Sequence, residues 1–461
     1  MKNIIFALDD HSSKYKQIYE RFKLFIEHGD LPENEQLPSL RQLAHSLQVS
    51  RNTTLMAYDQ LVAEGYIRGE GRKGYFVNEI EPHLFQEEVN SIPNKQPEPV
   101  TTFFVDFKAG AVDQTNFPLK AWRRITNSVL TLQESFLYGD PFGEMCLRKQ
   151  IAAYILQSRG VKTVPNAIII GSSTQQMLIN LGQILKDDFP SVILEDPGYD
   201  GAKEAFLFHR FTLETLPVDE TGADFSQIES MLSGLIYVTP SHQSPIGISM
   251  SIQQRQNLIQ WATKRNGYII EDDYDSEFRY TQQPFPALAS LDSKRVIYLG
   301  NFSKSFLPGI RLSYMVLPQF LLDLYIKHFQ YFESTTSLLS QLTMAKFMEE
   351  GEWNRHIKRM RLVYKRKMQC IVSELKKQFN QQISIIGEQS GLYVLVKVHL
   401  NRSEEWLIER ASIYGVKVYP TSIYFIENHS AEAIIKLGFS NLTCDEIQEG
   451  VNLLKEAWRN V

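Results

Sequence analysis

Three capped helical repeats, a proline-rich break, and a long series of short apolar runs that each end in a polar Gly- or Pro-containing segment predict a multidomain chain. Residues 1–77 read as a small α+β head, 78–104 as a linker and 105–461 as a large α/β body. The 461 residues are long enough for two or three domains and a large core. No stretch approaches membrane-spanning length, and the apolar run Ile4–Leu8 is too short for a signal peptide. Cys146, Cys370 and Cys444 show neither disulfide nor zinc spacing and fit a reducing cytosol, so a cytoplasmic location is expected. A net charge of −5 gives no global attraction to nucleic acid, so any such contact must come from a local basic patch.

In the head, Ile18, Phe22, Phe25 and Ile26 recur at helical spacing between Lys14 and His28, and Gly29 stops the helix. Ser39 is a good N-cap for a second helix with Leu40, Leu43, Ala44 and Leu47 on one face. Ser50 caps a third, Arg51 to Glu64, with Leu55, Tyr58, Leu61 and Val62 expected inside and Gly65 ending it. Tyr66–Arg68 and Gly74–Val77 then read as two strands around a loop, Gly69–Lys73. Two helices across a tight turn followed by a hairpin make a winged helix-turn-helix. A three-helix packing module with a solvated basic loop is the alternative; caps, turn, stop and wing all agree on the former. That geometry sets Arg51, Asn52 and Thr53 at the N-terminus of the recognition helix, toward base edges in the major groove. It leaves Arg41, Arg72 and Lys73 for phosphates or the minor groove. Residues 13–77, with LPSLRQLAHSLQVSRNT and YIRGEGRKGYFV, resemble the DNA-binding domain of the GntR family. The resemblance implies sequence-specific binding of double-stranded DNA by Arg41, Arg51, Thr53 and the wing glycine Gly71.

Residues 78–104 lose periodicity and collect Pro82, Pro93, Pro97 and Pro99, the composition of an extended tether. Beyond it, strands are expected at Ile168–Ile170, Val192–Leu194, Leu235–Val238, Tyr268–Ile270 and Val296–Leu299, with a helix at Thr174–Leu185. In open α/β sheets ligands bind beyond the carboxyl ends of the strands, so the following loops should converge. Gly171–Gln175 opens a helix and can hold a phosphate at its N-terminus, although it lacks the P-loop lysine. Glu195–Tyr199 delivers an aromatic ring, Thr239–Gln243 polar groups, and Glu271–Asp275 a carboxylate and a phenol. Taken singly, His242 would be a structural histidine and Tyr199 a core residue. The acidic run EDDYDSE lacks the glycine and closing glutamate of an EF-hand, and no metal is expected.

The stretch VIYLGNFSKSFLPGIR, residues 296–311, presents Lys304 after a buried strand, between Ser303 and Ser305 and seven residues before Arg311. This arrangement suits a Schiff base between the lysine and pyridoxal 5′-phosphate (PLP), with Ser303 and Arg311 on the phosphate. Alone, the stretch fits a solvated loop lysine equally well; the other strand ends tip the balance. A carboxylate such as Asp272 beside the pyridine nitrogen would keep it protonated and make the ring an electron sink.

Together, residues 105–461 resemble the fold-type I PLP-dependent enzymes of the aspartate aminotransferase superfamily, an α/β fold with a small C-terminal domain. Carried over by position, the resemblance makes Lys304 the Schiff-base lysine and Asp272 the pyridine-nitrogen partner. Tyr274 is then the ring-hydroxyl ligand and Tyr199 the stacking ring. Ser173, Thr174, Ser303 and Arg311 are phosphate ligands, and Gln243 or His242 stands near the asparagine that contacts the ring oxygen. The helix from Gln319 and strands near Leu392–Val398 and Ile434–Phe439 fit the small domain. A GntR head joined by a linker to such a body resembles the MocR/GabR family of bacterial transcription regulators, with TPSHQ, IIEDDYDSEF and FSKSFLPGIRLSYMVLP as the most similar phrases. That implies a homodimer, each head resting on the partner's body, with PLP used for sensing rather than turnover.

The chain departs from amino-acid-sensing members at two places. Where one carboxylate-binding arginine lies two residues after the stacking tyrosine, this chain has Gly201. Where another closes a GFAR phrase, it has Gly438-Phe439-Ser440-Asn441, and Asn441 offers an effector a hydrogen bond without charge. Losing a charge-assisted contact removes about 2–3 kcal/mol of affinity. Three readings follow. The first is a PLP-dependent regulator whose effector is PLP itself, as in the PdxR-type members that control vitamin B6 synthesis, or a PLP-reacting amino compound such as D-alanine. The second is a working aminotransferase with an appended head, and the third a DNA-binding protein whose body has lost PLP. The intact Lys304, Asp272 and Tyr274 set speaks against the third, and the missing arginines against more than weak transamination.

Overall fold

The computed structural model describes residues 6–9, 12–80, 103–280, 285–426 and 433–459. Most of the expected linker, residues 81–102, lies outside them. The chain divides into two compact units, Met1–Val100 and Thr101–Val461.

In the first unit, α1 (Lys14–Glu27), α2 (Leu40–Ser46) and α3 (Arg51–Ala63) precede the strands β1 (Ile67–Gly69) and β2 (Tyr75–Val77). The strands pair antiparallel with Ile67 opposite Val77, and the wing between them folds into a 3₁₀ turn at Gly71–Lys73. The Ser39 hydroxyl accepts from the Gln42 amide in a full capping box, and that of Ser50 accepts from the Thr53 amide. The Ser50 cap closes the tight turn between α2 and α3. The core is Ile18, Phe22 and Ile26 of α1 against Leu43 of α2 and Ala57, Tyr58 and Leu61 of α3. Val62, expected inside, is 40% exposed, and Leu55 is only half-buried. Thr54 and Ala57 take their places, because the inward face of α3 runs through 54, 57, 58 and 61 at i, i+3, i+4, i+7.

In the second unit, the five expected strands join three others in one eight-stranded sheet. They are β3 (Ile168–Gly171), β4 (Ser191–Asp196), β5 (Thr212–Asp219), β6 (Gly222–Ala223), β7 (Leu235–Val238), β8 (Tyr268–Asp273), β9 (Val296–Asn301) and β10 (Ser313–Val316). Their order is β3-β10-β9-β8-β7-β4-β5-β6. Strands β9, β8, β7, β4 and β5 are parallel neighbours, and β10 runs against both β9 and β3. The apolar runs lack polar alternation because both sheet faces are covered. Ile168, Ile170, Val296 and Tyr298 enter one core layer, while Ile169, Ile297 and Leu299 enter the other. α4 (Thr174–Leu185) occupies the expected range.

A smaller antiparallel sheet, β11 (Ile383–Ile386), β12 (Tyr393–Val398), β13 (Tyr419–Pro420) and β14 (Ile434–Gly438), is ordered β11-β12-β14-β13. It shares its core with the 28-residue helix α5 (Glu352–Phe379) and with α6 (Cys444–Ala457). Phe104, expected in the linker, already donates its amide to Gly415 O at 2.7 Å. The unit is therefore tied together from at least this residue onward.

The inward face of α3 can be tested by truncation. Leu61→Ala should destabilise the head by about 2–5 kcal/mol and Val62→Ala by less than about 0.5 kcal/mol, read from hydrogen exchange of the head amides.

Candidate functional site

The carboxyl ends of the parallel strands surround a cavity of about 390 Å³. Lys304 reaches it from the turn after β9, Asp272 from β8, Tyr274 from the loop beyond, and Tyr199 from the turn after β4. Ser173 and Thr174 face it from the N-terminus of α4, and Ser303 and Arg311 from the loop between β9 and β10. Nine positions were expected to hold the cofactor, and eight of them line this one space. Gln243 does not. Its amide nitrogen donates to Pro197 O at 2.9 Å and Ser244 O at 3.0 Å, and its oxygen accepts from Ile246 N at 3.0 Å. The side chain is used up in joining two strand-end loops. The next residue, Ser244, lines the cavity instead.

Asn441 is also absent from the lining; it is exposed in the turn after β14. The strand that reaches the cavity ends at Gly438, three residues before it. Ile435, Leu437 and Phe439 fill the small-sheet core, while Lys436 faces the cavity. Lys436 was missed in the sequence, although a lone charge within IIKLGF is a readable signal for a special partner. Tyr237, Asp200, Tyr393 and Tyr424 also line the space. They come from separate segments whose convergence no spacing announces.

The acidic run after Ile270 is divided among separate tasks. Glu271 accepts from the Leu288 and Ala289 amides at 2.9 Å. Asp273 pairs with Arg159 at 2.6 Å and accepts from Tyr298 Oη. Both Asp275 oxygens lie 2.9 Å from His242 Nδ1, which is also 2.9 Å from Tyr274 Oη. His242 thus backs the phenol rather than entering the cavity. Asp272 is the exception. Tyr237 Oη donates to one of its oxygens at 2.7 Å, and the other is buried with no partner among the described residues. Burial raises its pKa to about 7, against the opposing Tyr237 hydrogen bond.

Lys304 is pushed below the ordinary lysine value by burial, which favours a neutral, nucleophilic amine. Gly110 has φ +96°, and a Cβ there would collide with Lys304 Nζ, so this glycine clears the space around the amine. Arg311 lines the cavity with φ 54°, a left-handed conformation that non-glycine residues rarely adopt. Gly201 is explained as well. A Cβ there would strike the Tyr199 ring, so the pose of that ring excludes an arginine at 201.

On the head, Arg41, Arg51, Asn52, Gly71 and Arg72 are exposed and Thr53 is half-buried at the start of α3. Arg41, Arg51 and Arg72 have no ion-pair partner among the described residues. Arg68, by contrast, is tied to Glu70, Val77 O and Asn34. Free arginines beside an exposed helix N-terminus and a wing suit a polyanion.

Fold and cavity together define a winged helix-turn-helix head on an aminotransferase-like body. Comparison with known proteins agrees: residues 14–77 match the bacterial regulatory proteins of the gntR family, and 104–454 match aminotransferase class I and II. The chain is 40% identical to the HTH-type transcriptional regulator YdeL of Bacillus subtilis over 96% of both chains. It is 30% identical to the probable rhizopine catabolism regulatory protein MocR of Rhizobium meliloti, over 96% of this chain and 93% of that one. Among solved structures it resembles LysN, an α-aminoadipate aminotransferase of Thermus thermophilus complexed with N-(5′-phosphopyridoxyl)-L-leucine. That match has a TM-score of 0.70 at 27% identity and covers 77% of this chain and 91% of LysN. The chain belongs to the MocR-type family of transcriptional regulators, in which a GntR DNA-binding head is fused to an aminotransferase class I and II domain. Among the described residues no helix is long and apolar enough to cross a membrane.

His356 of α5 offers a pH test beside the lysine loop. Its Nε2 lies 2.9 Å from Ser305 O, and burial lowers its pKa to about 4. The folded state keeps the ring neutral while the unfolded chain takes up a proton below about pH 6.5. As pH falls from 6.5 to 4, the wild type should therefore lose about 3 kcal/mol that His356→Gln does not lose, read as diverging urea midpoints.

Proposed function

We propose that the protein is a homodimeric, PLP-responsive DNA-binding regulator whose body senses PLP or an amino compound that reacts with it. The unpartnered Asp272 oxygen carries this reading. A buried carboxylate with a vacant acceptor, opposite a lysine of lowered pKa, fits a protonated pyridine nitrogen at one end and an aldehyde at the other. Bound PLP supplies an electrophilic aldehyde and an electron-withdrawing ring. Lys304 would hold the aldehyde carbon and Asp272 the ring nitrogen. Tyr274, backed by His242 and Asp275, would meet the ring hydroxyl, and Tyr199 would cover the ring face. The first amides of α4, with Ser173, Thr174, Ser303 and Arg311, would take the phosphate. Ser173 already caps α4 through Gln176 N at 3.1 Å, so its share of that task falls to its backbone and spare donor capacity.

Gly201 leaves the cavity without an arginine at that position, which favours sensing with at most weak transamination. Two heads in a homodimer imply an operator with two half-sites at fixed spacing, in a cytoplasmic, nucleoid-associated setting. PLP as the signal would place the protein beside PdxR-type control of vitamin B6 synthesis.

The test is binding to DNA upstream of the protein's own gene, with and without PLP. Wild type should show the visible absorbance of lysine-bound PLP and a PLP-dependent change in affinity or footprint. Lys304→Ala should lose both while still binding DNA; an unchanged response in that variant refutes the sensing role. Arg51→Ala should lose at least about tenfold in specific affinity while keeping the absorbance.

A further inference from the structure

Among the described residues, two buried carboxylate oxygens lack a hydrogen-bond partner, one on Asp272 and one on Glu277. Asp272 faces the cavity of Lys304. Glu277 lines a second cavity, of about 270 Å³, which shares no lining residue with the first. Three segments build it. The helix Met145–Arg159 brings Tyr154 and Gln157, the loop after β8 brings Glu277, and α5 brings Asn354, Lys358 and Arg361. Its size is at the small end of ligand sites, which for drug-sized molecules span about 300–1,000 Å³.

The charges that line this cavity are opposite in sign and uncoupled. Glu277 Oε1 accepts from Tyr154 Oη at 2.8 Å, while Oε2 has no partner. Arg361 donates its Nε to the Glu277 carbonyl at 2.9 Å, a bond that leaves the carboxylate alone. The two terminal nitrogens of Arg361 have no partner among the described residues, and neither has the exposed Lys358. One acid and two cations thus share a small space without forming an ion pair. Burial, and then the neighbouring Asp273, raise the Glu277 pKa to about 7, so its ionised form lacks the compensation that a cationic group at Oε2 would supply.

We propose that this cavity is a second small-molecule site, which takes an amino-acid zwitterion with its ammonium on Glu277 and its carboxylate on Lys358 and Arg361. The ammonium completes the vacant acceptor with a charge-assisted hydrogen bond, and the free guanidinium nitrogens offer a carboxylate two parallel donors. A ligand with a single charge leaves one pole of the cavity unanswered, so the site selects for both charges together and for the chain length that spans them. The site does not rest on the proposed PLP-dependent sensing, because Asp272 and Tyr274 line one cavity and Glu277 the other.

The experiment is calorimetric titration of the full-length protein at about pH 8, where Glu277 is ionised and amino groups stay charged. The probes are glycine, β-alanine, 4-aminobutyrate and 5-aminopentanoate, each beside the amine and the carboxylate of matching length. PLP-loaded protein is first reduced with borohydride, which fixes the cofactor on Lys304 and prevents imine exchange with the added amine. One member of the series should bind at least about tenfold more tightly than either of its single-charge analogues. Glu277→Gln keeps the size of the side chain and an acceptor for Tyr154, and Lys358→Met changes an exposed position; each should bring that preference near one. Because each preference is a ratio within one protein, a general loss of stability in a variant does not mimic the effect. A preference kept in full by either variant, or absent from wild type for every member of the series, overturns the site. Absence of cofactor absorbance in wild type overturns the sensing reading alone, and the same titration of the unloaded protein still decides the second cavity.

Discussion

Everything in the cavity depends on one carboxylate held at the carboxyl edge of the central sheet with only half of its hydrogen-bonding satisfied. Asp272 is 3% exposed, and burying an ionised carboxyl without full compensation is costly. Tyr237 from the neighbouring strand stabilises one oxygen, and the other has no partner among the described residues. A buried polar group left unsatisfied at a cavity wall is tolerated when a ligand completes it.

The neighbouring acids are held differently. The flanking acids Glu271 and Asp273 are neutralised by backbone amides and by Arg159, so the strand carries no pool of unpaired charge. Asp275 is bound by His242, whose ring lies near those of Tyr274 and Tyr393 at centroid distances of 5.7 and 5.6 Å. Space around His242 is kept by glycine. A Cβ at Gly391, where φ is +80°, would run into the imidazole. The same economy recurs at Gly110 beside Lys304 and Gly201 beside Tyr199, so side-chain poses in the cavity are set partly by where Cβ atoms are missing.

The head works by a different balance. Its hydrophobic centre is small, and the starts of α2 and α3 are held by serine caps. Basic side chains that serve the fold, such as Arg68, are bonded within it, and those at the recognition end are left in solvent. Such a surface offers a polyanion charges that need not first be released from partners within the fold.

Much of this was readable along the chain. Helix α4 and strand β7 fall where capping and apolar runs place them, and Lys304, Asp272, Tyr274, Tyr199 and Arg311, singled out because each follows an apolar run, line one cavity. Local signals suffice there, since strand ends and helix caps are encoded within a few residues. The same signals failed at Val62, where two apolar neighbours compete for one inward position and only packing against α1 decides. They failed at Gln243 and Asn441, each close in sequence to the residue that lines the cavity. Which of Gln243 and Ser244 enters is set by the hydrogen bonds the loop makes across to Pro197. Lys436 enters because it alternates with Ile435 and Leu437 along β14, whereas Asn441 lies in the exposed turn beyond the strand. The sequence by itself determined the two-part architecture, the order of elements and the chemistry at the strand ends, because those depend on periodicity, capping and residue type. The tertiary structure alone decided which polar groups share the cavity and which are used up in holding it, because partners such as Tyr237 with Asp272, or Arg159 with Asp273, meet across strands and helices far apart in the chain.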